Sequence, residues 1–372
     1  MSALGDLLHV AVNVQSAQGR PLNIPFSDSI SIANSMFLRA ENVAIRVELT
    51  NGSVGWGEAP TLRPITAEDQ SLALAKVTEV CHMLATVTTE MPLSSLLGEV
   101  GQILQGHKLA SGENVAIRVK LSNGCVGWGE APTFRPIAAE GQQLVLAKVT
   151  EIPIVSSAKA YQLASDYQTK GFKTLKLKVG KNLNSDIEML RAVRRAHPDC
   201  SLILDANEGY SSSEAIQVLQ TLHEMKLLPV LFEQPVHSSD WEGLGQVTKI
   251  AKEKYGVSVA ADESCRGLDD AKMIIERNLA DVINIKMAKL GVLGAIEIIE
   301  LAKASGLELM IGGMAESRLA VGFSGHLAAG LGCFKYIDLD SPFHLSEDPV
   351  LDGYEVSGPV YEFTNKAVLS AM

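Results

Sequence analysis

From residue 153 onward the chain keeps repeating one pattern, a short apolar run followed by an amphipathic stretch, with eight runs and seven stretches between them. The runs are IPIV ending at Val155, TLKLKV at Val179, SLILDA at Ala206, VLFEQ at Gln234, VSVAADE at Glu263, DVINIK at Lys286, LELMIG at Gly312 and YIDLD at Asp340. Runs this short have strand length, and the intervening segments, 184–196 and 291–304 for instance, carry apolar residues at helical spacing. Eight strands alternating with helices predict a closed parallel barrel, an α/β fold of the TIM-like (β/α)7β kind. The rival is a doubly wound open sheet, but no glycine-rich dinucleotide fingerprint follows the first run.

The first 150 residues follow another rule. Glu41–Val80 matches Glu113–Ile152 at an offset of 72, with 31 of 40 positions identical. Each copy reads as a β-hairpin, AIRVELTNGSVGWGEA and AIRVKLSNGCVGWGEA, in which Asn51-Gly52 and Asn123-Gly124 supply left-handed turn residues. Two copies are too few for a solenoid, so the repeat reads as a duplication within an α+β domain. Residues 81–112 between the copies show weak helical patterning broken by Pro92 and several glycines. Three parts are expected: an N-terminal α+β domain over 1–152 with the duplicated hairpin (41–80 and 113–152), a barrel over 153–341, and a segment 342–372 that folds back onto the first.

Composition narrows the function. A formal charge of -11, with no run of Lys and Arg, argues against a nucleic-acid partner. No apolar run reaches the roughly 18 residues of a membrane span. Cys81, Cys125, Cys200, Cys265 and Cys333 lack CxxC spacing, which suggests neither a zinc site nor a disulfide framework and fits a reducing compartment. The N-terminal MSALGDLLHVAVNV, interrupted by Asp6, does not read as a targeting peptide. The expected location is cytoplasmic, or plastid if a targeting segment precedes this chain. A homo-oligomer is compatible with the sequence, which fixes no copy number.

In a βα barrel the site lies at the carboxyl ends of the strands, so polar residues there are candidates by position. Asp205, Glu233 and Asp262 fall about one βα unit apart and place one carboxylate on each of three adjacent strands. Three oxygen donors without His or Cys suit a hard cation, Mg²⁺ rather than Zn²⁺. In the second run Lys176 and Lys178 share a face opposite Leu175 and Leu177, and Lys286 ends the sixth run. Strands two and six stand half a turn apart, which sets Lys178 against Lys286 across the mouth. Such a pair can take a proton from one face of an α-carbon and return one to the other. Lys176 beside Lys178, with the metal, is expected to depress the Lys178 pKa toward that of a usable base. The weakly acidic α-proton calls for a divalent ion to stabilise an ene-diolate. Asp338 and Asp340 add negative charge at the rim and would suit a cationic substrate group such as an α-ammonium.

Together Lys176-x-Lys178, DAN at Asp205, FEQP at Glu233, ADES at Asp262 and NIKMAKLG at Lys286 resemble the enolase superfamily, muconate-lactonising subgroup. The DLD at Asp338 and Asp340 is similar to the DxD motif of its dipeptide epimerases. The resemblance runs from Pro153 almost to the C-terminus and includes the first hairpin, which it makes part of a capping domain. It implies Lys178 and Lys286 as acid/base catalysts, Lys176 as electrostatic support, and Asp205, Glu233 and Asp262 as ligands of one Mg²⁺. It implies Asp338 and Asp340 as holders of the ammonium of a dipeptide of the L-Ala-D/L-Glu kind, and Arg63 or its copy Arg135 as readers of a γ-carboxylate. The alternatives are a cycloisomerase or o-succinylbenzoate synthase, or a non-catalytic paralogue. The last arises because the second hairpin stands where the family places cap helices, so part of the lid is expected to be missing.

Several weaker features are expected to be structural. Gly312 and Gly313 could present amides to a substrate carboxylate but read first as a tight turn. Glu316 and Ser317 read as helix caps, with Glu316 held as a candidate substrate contact. His197 reads as a cap, His326 as structural, and Lys289 as facing solvent.

Overall fold

The structure, a computed structural model, describes residues 9–32, 35–61, 69–104, 119–120, 126–127, 149–348, 350 and 353–363. In the N-terminal part, strands β1 (Val14–Ile32), β2 (Ser35–Leu49) and β3 (Val54–Ala59) form an antiparallel sheet in that order. The expected Asn-Gly turn joins β2 to β3: Gly52 takes φ +81°, and the Asn51 side chain accepts from the Ser53 amide at 2.9 Å. Alternation gives the sheet two apolar faces. Val43, Ile45, Val47 and Leu49 pack against helices α1 (Gln70–Thr86) and α2 (Leu93–Leu104), while Leu22, Ile24, Phe26, Ala40 and Ala44 face Ala315 and Leu345 of the barrel side. The cap therefore keeps more helix than the broken pattern over 81–112 suggests. In the second copy the described residues pair Val119 with Gly127 and Lys120 with Val126, the register of Val47 with Gly55 and Glu48 with Val54.

The barrel strands are β4 (Val149–Ile152), β5 (Thr174–Lys178), β6 (Ser201–Asp205), β7 (Leu231–Glu233), β8 (Ser258–Ala261), β9 (Val282–Ile285), β10 (Glu308–Gly312) and β11 (Phe334–Asp338). They form one eight-stranded parallel sheet in chain order, with helices between them, which is the (β/α)7β architecture read from the sequence. Side chains of Ser156, Asn182, Ser211, Asp240 and Ser317 cap five of those helices by accepting an N–H of the first turn. On β5 the leucines face the surrounding helices, and the alternate positions Lys176 and Lys178 turn inward. The lower interior is filled by one residue from each of the other seven strands: Val149, Ile203, Leu231, Ala260, Val282, Met310 and Tyr336.

The first barrel strand departs from expectation. It is Val149–Ile152 rather than IPIV ending at Val155, because Pro153 has no N–H to donate to a ladder. Residues 149–152, expected in the cap, thus belong to the barrel sheet. Most other strands end one or two residues earlier than the apolar runs suggest. Among the described residues no ladder joins β4 to β11, although the two lie side by side; the Glu151 amide instead donates to Asp340 Oδ2 at 2.5 Å.

After the barrel the chain touches the cap, since Leu345 bridges Phe26 and the Ser346 amide donates to the Pro25 carbonyl at 2.9 Å. A hairpin, Tyr354–Ser357 with Val360–Phe363, follows and packs Tyr354 and Tyr361 into the barrel core. No helix among the described residues is long and apolar enough to cross a membrane.

Candidate active site

The register of the sheet builds the site. Lys178 lies level with Asp205 on the next strand, and Asp205 with Glu233 on the one after. Asp262 follows β8 by one residue, Lys286 follows β9 by one and flanks the helix Met287–Ser305, and Asp338 ends β11. With Lys176 and Asp340 these residues are all buried. Lys176, Lys178, Lys286, Asp338 and Asp340 line one pocket at the carboxyl end of the barrel, and Phe26 of the cap lines it too. The backbone here is strained: Asn207, two residues past Asp205, has φ +40°, and Gln234, next to Glu233, has φ +35°. Non-glycine residues hold such angles only where the surroundings enforce them, a pattern that clusters at functional sites.

Buried charges must be paired, and here they are. Lys176 Nζ lies 2.9 Å from Asp205 Oδ2, 2.9 Å from Glu233 Oε2 and 2.8 Å from Asp338 Oδ2. Lys178 Nζ contacts Asp205 Oδ2 at 2.7 Å and Glu151 Oε2 at 3.2 Å, and Lys286 Nζ contacts Asp262 Oδ2 at 2.7 Å. The Asn284 amide donates to Glu233 Oε1 at 2.8 Å. Burial would lower the pKa of Lys178 and Lys286, but Asp205 and Glu151 around the first, and Asp262 beside the second, outweigh it and hold both above the ordinary lysine value. Lys176 does press the Lys178 pKa downward, as expected, yet it is outmatched by the acids. The fall expected from the sequence belongs to the metal-bound site, where the ion would draw Asp205 and Asp262 away from the amines.

The three strand-end acids fit a hard cation. Glu233 is pushed up to about 8, first by burial and then by the Asp205 carboxylate. Its Oε2 is buried and accepts no hydrogen bond, although it lies near Lys176 Nζ. Such crowding of like charges is relieved by a divalent ion, and the donor set is all oxygen. Among the described residues no three acids form a ready-made cage; the oxygens of Asp205 and Asp262 point at lysines instead.

Three minor expectations change. Lys289 does not face solvent: its side chain is 8% exposed and its ammonium donates to the Asp262 carbonyl at 2.5 Å and to the Asp262 carboxylate. Gly313 lines the pocket, but its amide is spent on the Asp338 carbonyl at 3.0 Å, so it does not present a donor to substrate. Glu316 does not line the pocket and accepts from the Met314 amide at 3.1 Å. It sits beside Glu58 of the cap, which accepts from the Ser317 amide and hydroxyl. As read from the sequence, Ser317 caps a helix, and His197, at a helix end, bonds the Phe172 carbonyl at 2.8 Å. Arg63 and Arg135 lie outside the described residues.

Sequence reasoning missed Glu151, Asn284 and His344, and misplaced Lys289. Asn284 stood out as the one polar side chain inside the apolar VINI run, a signal that was there to use. His344, four residues past Asp340, contacts its Oδ2 at 3.3 Å, and its pKa is raised to about 9, since that carboxylate outweighs burial.

A family described as "Enolase C-terminal domain-like" matches residues 159–367. The chain belongs to the enolase superfamily. It is similar to a Populus trichocarpa protein named L-Ala-D/L-amino acid epimerase, 59% identical over 361 residues, 97% of this chain and 85% of that one. A substrate-liganded complex of the L-Ala-D/L-Glu epimerase from Bacillus subtilis superposes with a TM-score of 0.82 at 26% identity, covering 96% of this chain and 98% of that one. A dipeptide epimerase from Enterococcus faecalis, complexed with Mg and the dipeptide L-Leu-L-Tyr, gives 0.80 at 25% identity, with 96% and 99% covered. Within the superfamily the chain stands with the muconate-lactonising, dipeptide-epimerase-like members, and it is an enzyme, an isomerase of the epimerase type.

Proposed function

We propose that this enzyme epimerises a dipeptide of the L-Ala-D/L-Glu kind, with Mg²⁺, by 1,1-proton transfer at an α-carbon. One observation carries the reading: Lys178 and Lys286, from the second and sixth strands of an eight-stranded barrel, open into one pocket beside three strand-end carboxylates. Asp205, Glu233 and Asp262 would hold the Mg²⁺. Bound there, the ion supplies the positive charge that a carboxylate needs when its α-carbon loses a proton.

The residues then divide the work. One of Lys178 and Lys286, as the free amine it would become once Mg²⁺ engages the carboxylates beside it, takes the α-proton, and the C–H electron pair passes into the substrate carboxylate as an ene-diolate. The other lysine returns a proton to the opposite face, so the configuration inverts and no proton is lost overall. Lys176, fully buried between Asp205, Glu233 and Asp338, acts through charge alone. Asp338 and Asp340 would receive the substrate ammonium. We assign a γ-carboxylate, where the substrate has one, to Arg63 or Arg135. Relatives named for L-Ala-D/L-amino acid and dipeptide epimerisation support the substrate class. The absence of disulfide spacing supports a reducing location, the cytoplasm or a plastid.

The test is solvent exchange. In D₂O with Mg²⁺, L-Ala-L-Glu should gain deuterium at the α-carbon of its second residue. Lys178→Ala and Lys286→Ala should each abolish epimerisation. A protein that binds Mg²⁺ yet exchanges no dipeptide α-proton would be a binding paralogue, and the proposal would fall.

A further inference from the structure

Glu151 is the repeat copy of Glu79, 72 residues on. Glu79 rides on α1 with its side chain 54% exposed, 2.8 Å from Lys76. Glu151 stands near the carboxyl end of β4 and lines the substrate pocket with its side chain 18% exposed. Its backbone is fixed from two sides: the amide donates to Asp340 Oδ2 at 2.5 Å, and the carbonyl accepts from the Tyr167 hydroxyl at 3.4 Å. Because β4 and β11 are neighbours, Glu151, Asp338 and Asp340 share one end of the pocket.

At that end the two aspartates have spent much of their charge inside the protein. Asp338 Oδ2 is taken by Lys176 at 2.8 Å, and Asp340 Oδ2 by the Glu151 amide and by His344. Asp338 Oδ1, by contrast, is buried with no hydrogen-bond partner. A primary ammonium carries three donors and needs three acceptors to replace water. Asp338 Oδ1 offers one and the second oxygen of Asp340 another. The Glu151 carboxylate offers the third, since its partner Lys178 is held more closely by Asp205, at 2.7 Å against 3.2 Å.

We propose that Glu151 is a specificity-determining residue, the third carboxylate of the wall that receives the cationic amino end of the substrate. The proposal rests on the dipeptide reading above. Calorimetric titration of the Mg²⁺-loaded protein with L-Ala-L-Glu and with its N-acetyl analogue, which lacks the ammonium, tests it. Glu151→Gln keeps the shape and removes the charge, and should weaken the free dipeptide about tenfold, one charge-assisted hydrogen bond, while leaving the acetylated one unchanged. Glu151→Asp should recover part of the loss. Equal weakening of both ligands, or of neither, would overturn the role of Glu151. Asp338→Asn is the control: if it too leaves the preference for the free amine intact, the ammonium assignment of the aspartates fails, while the Glu151→Gln comparison still decides its own question. Should the unaltered protein bind neither ligand, the dipeptide reading and this one fall together.

Discussion

The six residues Leu-Ala-Lys-Val-Thr-Glu occur twice, at 74–79 and at 146–151, and they take part in opposite structures. In the first copy Val77-Thr78-Glu79-Val80 lies within helix α1; in the second Val149-Thr150-Glu151-Ile152 is barrel strand β4. The identical residues cannot be the reason. What differs is the flanks. The first copy opens with Asp69, whose side chain caps the helix by accepting from the Leu72 amide at 2.9 Å, and continues as Cys-His-Met-Leu. The second has Gly141 in place of that cap and runs into Pro153, which disfavours helix in the residue before it and cannot continue one. With helix barred, Val, Thr and Ile suit a pleated strand, and the free edge of β5 supplies the ladder. The change of structure also changes a role: a lysine–glutamate pair on a cap surface has its counterpart in Lys178 and Glu151 inside the barrel mouth.

The hardest strain on that comparison is to remove the lysine from each pair. Lys178→Ala should cut α-proton exchange with L-Ala-L-Glu by about a thousandfold or more, within the usual range for a lost acid/base group. Lys76→Ala should leave it unchanged. Similar losses from both, followed by deuterium wash-in, would mean that the cap pair matters to chemistry in a way its surface position gives no reason for.

Next in size is packing. Ile152 is fully buried in the barrel core, so Ile152→Ala should cost about 2–5 kcal/mol. Val80, buried under the cap sheet, occupies the matching position in the helix, and Val80→Ala removes one carbon fewer and should cost about 1 kcal/mol less. Urea midpoints followed by intrinsic fluorescence and by exchange activity would show whether the two losses fall on one transition or two. Loss of activity should track the Ile152 variant first.

The first copy has its own tie to the barrel, through Glu58 and the loop carrying Glu316. The Glu316 pKa is raised to about 7 by burial and then by the Glu58 carboxylate, from an ordinary value of 4.5. The folded protein therefore binds the proton more tightly than the unfolded chain. The associated stability is complete below about pH 4.5 and is lost as pH rises through about 7, a decline on the order of 1–3 kcal/mol. Glu316→Gln cannot ionise, so its melting temperature should fall less over that interval than that of the unaltered protein. Parallel curves would show that this carboxyl is not the group being titrated.

These differences mark what could be read from the chain. The barrel was legible because each βα unit closes on a short apolar run, and a charged residue at the end of a strand with no wet face has few uses; Lys176, Lys178, Asp205, Glu233, Asp262 and Lys286 follow from that rule. β4 was misplaced because IPIV looks like a strand until the missing amide of Pro153 is counted. Glu151 was overlooked for the same reason, since its stretch read as a copy of the cap rather than as barrel. Lys289 was assigned to solvent by its distance from the strand end, but Asp262 lies beyond β8 as well, and the two meet above the ladder. How strongly Asp205 and Glu151 oppose Lys176 at the Lys178 amine was not legible, because three-dimensional register decides how many acids surround it.

The smallest effect separates position from sequence most cleanly. Glu79 and Glu151 arose as the same residue, so any difference between their substitutions belongs to where the fold puts them. Glu79 is half-exposed, and its contact with Lys76 is an i,i+3 pair on a helix surface. Such pairs contribute about 0.2–0.5 kcal/mol and are screened by salt. Glu79→Ala should therefore lower stability by no more than that, by less in 1 M salt, and leave substrate binding unaltered. Glu151→Gln, gentler as chemistry, should do the reverse: little change in the melting temperature, and a weakened hold on the free dipeptide. If Glu79→Ala also weakened the free dipeptide selectively, the cap helix would have to approach the amino end of the pocket, and the third acid would not be Glu151 alone.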